Sequence, residues 1–143
     1  MATNVQTWAT AISKNASNGR VIIFRFAKDL SPTFDRRIQP DRIILVWRYV
    51  SERGQPATEE RERMDAMEDA LEPFVNYENF ATLALVSTGE NLREWTYYTR
   101  SEDEFLARLN QALRGKSRFP IEIHTASDPN WSMYEEFKAG LKE

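Results

Sequence analysis

The most constraining feature of the chain is the run Ile43 to Val50, IILVWRYV. It is rich in β-branched and aromatic residues and therefore reads as a strand. It is also apolar at both parities: Ile43, Leu45, Trp47 and Tyr49 on one face, Ile44, Val46 and Val50 on the other. A strand covered on one side alternates apolar and polar positions, whereas one apolar at both parities is buried on both. The run therefore predicts a central strand with layers packed above and below it. At 143 residues the chain suffices for one such domain, spanning 1–143.

Other elements follow from local signals. Val5, Trp8, Ala9, Ile12 and Ala16 are spaced as one face of a short helix, with Asn4 as its N-cap and Asn18-Gly19 as its end. VIIFRF (Val21 to Phe26) reads as a strand, and residues 28–41, holding Pro32 and Pro40, as a long loop. Residues 57–75 form the longest helix, buried along Met64, Met67, Leu71, Phe74 and Val75, with Pro73 kinking or ending its last turn. Phe80 to Val86 and Leu92 to Tyr98 form a hairpin around Thr88-Gly89-Glu90-Asn91. Ser101 and Glu104 make a capping box for a helix ending at Gly115, buried along Phe105, Leu109, Ala112 and Leu113. Ile121 to Thr125 is a short strand. Asp128-Pro129 is an N-cap with proline at the first position of a closing helix, whose apolar face is Trp131, Tyr134, Phe137 and Leu141.

From residue 42 the order is strand, helix, strand, strand, helix, strand. This predicts an α+β fold, a ferredoxin-like βαββαβ sandwich with an additional N-terminal helix and strand and a C-terminal helix. Strands 43–50 and 92–98 would lie in the middle, both long helices on one face and the terminal helices on the other. Strand 21–26 would extend one edge.

Three segments carry a resemblance. Gly54-Gln55-Pro56 precedes the long helix, which contains Met67-Glu68-Asp69. The hairpin reads Gly89-Glu90-Asn91-Leu92-Arg93-Glu94-Trp95-Thr96-Tyr97-Tyr98. The close is Asp128-Pro129-Asn130-Trp131-Ser132-Met133-Tyr134. Together they resemble a bacterial family of small domains of unknown function, grouped by fold with the ribonuclease E inhibitory protein B superfamily. The resemblance covers about residues 42–137 and leaves 1–41 as an N-terminal extension. It implies the ferredoxin-like fold, no known enzymatic activity and, by analogy with the ribonuclease inhibitor, direct binding of a protein.

Composition excludes several chemistries. The chain has no cysteine, so disulfide frameworks, Cys-based zinc sites and thiol catalysis are ruled out. No stretch is apolar enough to span a bilayer, and the start lacks the pattern of a secretory signal, so a cytoplasmic protein is expected. Five scattered glycines form neither GxGxxG nor a P-loop, and no cofactor is expected.

The net charge of −3 hides an asymmetry: residues 1–58 carry 9 Lys and Arg against 4 Asp and Glu, and the remainder carries 10 against 18. The basic part (Lys28, Arg36, Arg37, Arg42, Arg48, Arg53) is interleaved with Asp29, Asp35 and Asp41. The chain as a whole is acidic, which opposes nucleic-acid binding. The acidic part centres on the long helix, where seven carboxylates face Arg61 and Arg63. Of these, Glu62, Asp65, Asp69 and Glu72 fall within an arc of roughly 80° beside the apolar stripe. A solvated helix face explains them without a partner. As a function, they fit a docking surface for a basic protein. A Mg²⁺ or Ca²⁺ site would need ligands from outside one helix face. Glu68, nearer the stripe, is expected to bond a loop or Arg93 across the sheet.

His124, the only histidine, shares parity with Glu122. A general base oriented by a carboxylate would look like this, as would a half-exposed strand residue. Trp131 could anchor a ligand or pack on the sheet, and packing is the simpler reading.

The leading expectation is a non-enzymatic protein-binding domain, an inhibitor or immunity-type protein that neutralises a partner such as a nuclease or toxin through Glu62, Asp65, Asp69 and Glu72. The alternative is an enzyme or small-molecule sensor with a pocket near His124, Tyr97, Tyr98 and Trp131. A third reading is a structural module that self-associates as a homodimer through an edge strand.

Overall fold

A computed structural model describes residues 4–141. Its elements are β1 (Val5–Lys14), β2 (Val21–Leu30), a short 3₁₀ turn (Arg36–Ile38), β3 (Asp41–Arg48), α1 (Thr58–Val75), β4 (Ala81–Gly89), β5 (Leu92–Thr99), α2 (Glu102–Leu113), β6 (Ile121–Ser127) and α3 (Ser132–Ala139). The fold is mixed α+β. The six strands form one antiparallel sheet in the order β1-β2-β4-β5-β3-β6.

The Ile43–Arg48 part of the two-sided apolar run lies inside this sheet as β3, paired to β5 on one side and to β6 on the other. Its odd positions, Ile43, Leu45 and Trp47, pack with Met64, Met67 and Leu71 of α1 and with Phe105 and Leu109 of α2. The opposite face holds a second core of Val5, Ala27, Ala84, Tyr98, Trp131 and Tyr134. Burying each large apolar side chain is worth ~1.5–3 kcal/mol, so the sheet is held from both sides, as the two-sided strand requires. Val50 lies past the end of β3 and is 99% exposed, so it does not extend that face.

The N-terminal helix is not formed. Residues 5–14 are β1, antiparallel to β2 from Lys14↔Val21 outward. The spacing of Val5, Trp8, Ala9 and Ile12 fits a helix, but Val5, Thr7, Trp8, Thr10 and Ile12 favour a strand. The adjacent VIIFRF segment offers a ladder, and pairing outweighs the periodicity. Asn18-Gly19 closes this hairpin instead of ending a helix: Asn15 and Arg20 are bonded across it, and Gly19 takes a φ of +71°. Asn4 is not a cap, and its side chain donates to Thr82 Oγ1 at 3.1 Å. The expected loop at 28–41 starts later, because β2 continues to Leu30.

Gly54 shows why its segment begins as it does. Its φ is +88°, and a Cβ there would lie 2.9 Å from the backbone nitrogen of Glu90. Its carbonyl accepts from Asn91 N and from the Tyr49 hydroxyl, which ties the entry to α1 onto the β4–β5 turn. In that turn Glu90 and Asn91 both have positive φ, the type I′ geometry of a two-residue hairpin. Pro73 sits inside the last turn of α1, which ends at Val75. Ser101 Oγ accepts from Glu104 N at 3.2 Å, so Ser101 caps α2 as read, but the reciprocal half of the capping box is not made, because Ser101 N donates to Thr99 Oγ1 and Glu104 pairs with Arg108.

The last helix starts later than expected. Trp131, in the left-handed region at φ 55°, precedes it, and Ser132 opens it, so Pro129 is not its first residue. Asp128 still serves the helix end: Oδ1 accepts from Ser132 N at 2.8 Å, and Oδ2 from Met133 N at 3.2 Å. Oδ2 also accepts from the Tyr98 hydroxyl at 2.8 Å and from Arg42 at 3.2 Å. One buried carboxylate thus joins β3, β5 and α3.

Burial alone would raise the Asp128 carboxyl, but the hydrogen bonds from Ser132, Tyr98, Met133 and Arg42 outweigh it and hold it below its ordinary 3.8. The folded-state value lies below the unfolded one. Its stabilisation is therefore complete above pH ~4 and is lost as pH falls through the folded value. Asp128→Asn should cost about 1–3 kcal/mol at pH 7. It should also flatten the acid limb of stability, read from urea midpoints between pH 7 and pH 2. An equal deficit at both ends of that range would contradict this role.

Candidate functional site

The polar flank of α1 is organised by the buried tryptophans beneath it. An indole N–H in a core needs an acceptor. Trp47 Nε1 donates to Glu60 Oε2 at 2.8 Å, and Trp95 Nε1 to Glu68 Oε1 at 2.8 Å. Glu68 Oε1 also takes Arg25 Nη2 of β2 at 2.6 Å, and the Arg25 guanidinium lies 5.5 Å from the centre of the Trp8 ring. Arg93 is buried on β5, with Nε on Thr88 Oγ1 at 2.9 Å and Nη1 on Asp65 Oδ1 at 3.2 Å. Burial lowers the Arg93 guanidinium pKa, and Asp65 beside it acts the other way. Arginine stays charged throughout.

α1 and α2 pack over β3, β4 and β5. The β1–β2 hairpin extends the sheet past α1, which leaves a groove between the helix and the hairpin. The Arg25–Glu68 pair borders both of its concavities. The wider, about 480 Å³, is lined by Thr10, Ile23, Asp65, Asp69, Thr88 and Arg93 among others. The narrower, about 200 Å³, includes Trp8, Glu72, Val75, Asn76, Leu83 and Tyr97. On the outer strand Trp8 is 40% and Ile12 65% exposed.

All four expected partner-binding residues, Glu62, Asp65, Asp69 and Glu72, are exposed on α1. Asp65 and Asp69 border the wider concavity and Glu72 the narrower, whereas Glu62 lines neither. Two of them already have intramolecular partners: Asp65 pairs with Arg93, and Glu72 Oε1 accepts from Asn76 Nδ2 at 2.7 Å. The expected Glu68–Arg93 bond is replaced by Glu68 with Arg25 and Arg93 with Asp65. Among the described residues no group of three or more His, Asp or Glu is arranged to hold a metal ion.

The alternative pocket is not assembled. His124 is exposed on the outer strand β6, bonded at 3.4 Å to Glu122, which also pairs with Arg48. Trp131 is fully buried. Its ring stacks on Tyr98 with centroids 4.2 Å apart, and its Nε1 donates to Gln39 O at 3.0 Å. Tyr97 and Tyr98 are neighbours on one strand and so point to opposite faces: Tyr97 joins the core under α1 and α2, and Tyr98 the core under α3. His124 and Trp131 line none of the four concavities described.

Trp8, Arg25 and Tyr97 are the groove residues that sequence reasoning missed as a set. Arg25 carried a usable signal, as the single charge inside an otherwise apolar strand segment. Trp8 was hidden by its assignment to a helix stripe.

The model of a family of unknown function (DUF695) matches residues 6–138. No curated protein matches the chain.

The Glu68 junction is open to test. Glu68→Ala strands a buried indole N–H and should cost about 1–3 kcal/mol. Glu68→Gln keeps an acceptor for Trp95 and should cost less. Urea unfolding followed by tryptophan fluorescence separates the two, and equal losses would deny the indole a role.

Proposed function

We propose that this chain, which belongs to the DUF695 family, is a non-enzymatic protein-binding module that docks a basic partner along the groove between α1 and the β1–β2 hairpin. One observation carries the reading. The exposed Trp8 of β1 lines a groove whose other wall is the carboxylate flank of α1, and the exposed Ile12 lies further along the same strand, opposite Ile23 of the groove lining. Aromatic anchors rimmed by charge are the usual anatomy of a protein interface. The fields of Glu62, Asp69 and Glu72 would favour and orient a positively charged surface.

The narrower form of the proposal is an inhibitor or immunity-type protein that neutralises a nuclease or toxin, presenting carboxylates where the target expects phosphates. The resemblance to the ribonuclease E inhibitory protein B superfamily supports it. So does the order β4-β5-β3-β6 with α1 and α2 packed in one core, which is the arrangement expected of a ferredoxin-like βαββαβ unit. In that reading β1 and β2 are additions to the unit, and they build the groove's second wall.

The test captures a partner with the native chain by affinity pull-down and measures its binding to a variant with three charge reversals that spare the Asp65–Arg93 pair. The variant Glu62→Lys, Asp69→Lys, Glu72→Lys should weaken binding at least about tenfold, mainly through the association rate. Glu136→Lys, on the exposed side of α3, should leave binding unchanged. If the triple variant binds within twofold of the native chain, the partner docks elsewhere.

A further inference from the structure

The narrower end of the groove holds a polar group that the fold does not use. Tyr97 is 3% exposed, packs its ring at 5.2 Å from Phe105 and lines the concavity of about 200 Å³. The other buried tyrosines all bond their hydroxyls: Tyr98 to Asp128, Tyr134 to the Ala27 carbonyl and Tyr49 to the Gly54 carbonyl. No described residue hydrogen-bonds the Tyr97 hydroxyl. Among the described residues Gln55 Oε1 is the one enclosed side-chain polar atom without a partner, so the Tyr97 hydroxyl is not sealed in but opens into the pocket, where it can meet a ligand. Burial pushes the phenol pKa up, and the hydroxyl is therefore neutral at physiological pH. The charges that bear on it are Glu68, Arg25 and Glu72, all of which line the same pocket.

The remaining lining groups say what fits. Thr82 Oγ1 is spent, accepting from Asn4 and donating to Gln39. Glu68 and Glu72 each use only Oε1 in the bonds they make, which leaves both Oε2 atoms as acceptors. The lining carries one arginine against two glutamates. Arg25 is engaged with Glu68 through Nη2, so the free carboxylate oxygens and the net negative charge favour a cation, and the rest of the wall is apolar, including Val75, Leu83 and Trp8. A volume of about 200 Å³ lies below the ~300–1,000 Å³ typical of pockets for drug-sized ligands.

We propose that this pocket is a binding site for a small primary alkylamine. The ammonium sits among the Tyr97 hydroxyl and the carboxylates of Glu68 and Glu72, and the alkyl body lies against Val75, Leu83 and the Trp8 ring. Three N–H donors match the unused acceptors. The site opens into the groove of the protein-binding reading but does not depend on it.

The test titrates the full ¹⁵N-labelled chain with n-butylamine, with butyrate and with a short peptide carrying one lysine between glycines. Butylamine should give saturable shifts at Leu83, Tyr97 and the Trp8 indole, and butyrate none. Tyr97→Phe should weaken butylamine binding about fivefold, the worth of one net hydrogen bond, without lowering thermal stability, because the hydroxyl serves no protein group. Glu72→Gln, exposed and tolerant of change, should weaken it likewise. Glu62→Lys with Asp69→Lys, outside the pocket, should leave amine binding intact even where it abolishes partner binding. Butyrate binding as well as butylamine, or Tyr97→Phe binding as tightly as the native chain, overturns the proposal. So does binding of the lysine peptide without binding of butylamine, which would make the pocket a receptor for a partner's side chain.

Discussion

The hydrogen bonds from Trp47 and Trp95 to carboxylates of α1 decide how that helix sits. Both indoles are fully buried by apolar packing, and each must find an acceptor or leave a polar N–H stranded at a cost of roughly 1–3 kcal/mol. Glu60 and Glu68 meet that need only at one rotation of the helix, the one that also buries Met64, Met67 and Leu71. The apolar and polar requirements agree, which gives a sequence a single answer. With the rotation set, Asp65 reaches Arg93 and Glu68 reaches Arg25, while Asp69 faces the open groove.

Part of the acidity that looked like an external signal is thus internal bookkeeping. Glu60 and Glu68 satisfy indoles, and Asp65 balances an arginine that is almost wholly enclosed. Much of the basic charge in the first part of the chain is spent in the same way. Arg25 pairs with Glu68, Arg36 with Glu135, Arg42 with Asp128 and Arg48 with Glu122. Each joins a residue before position 50 to a carboxylate beyond it, so the charge asymmetry along the chain becomes adhesion between its two parts. The surplus carboxylates, Glu62 and Asp69 foremost, are what a partner would meet.

Elements whose burial is two-sided or strongly periodic were legible in the sequence. The β3 run announced its central position, Met64, Met67, Leu71 and Val75 announced the buried stripe of α1, and Ser101 marked the start of α2. β1 was misread because an outer strand with mostly exposed side chains leaves only a faint period-two pattern, and its few apolar residues happened to fall at helical spacing. That one error concealed half the groove, since Trp8 and Thr10 were placed on a helix. The carboxylates of α1 were visible as a face, but their division into spent and unspent groups was not. Which acid meets Trp95, Arg93 or Arg25 depends on residues 25 or more positions away. Asp128 was read as a cap, which it is, but Tyr98 and Arg42 reach it only through the sheet.

The second core also sets an order of events. Trp131 and Tyr134 close over Ala27 and Tyr98, and the Tyr134 hydroxyl reaches the Ala27 carbonyl across 107 positions of sequence. During synthesis, proceeding at ~5–20 residues per second, the strands and the helices α1 and α2 emerge well before α3. The cover over Ala27, Ala84 and Tyr98 comes from Trp131 and from Tyr134 of α3, the shortest of the described α-helices. Loss of α3 by premature termination would therefore leave an aggregating species, not a smaller working domain.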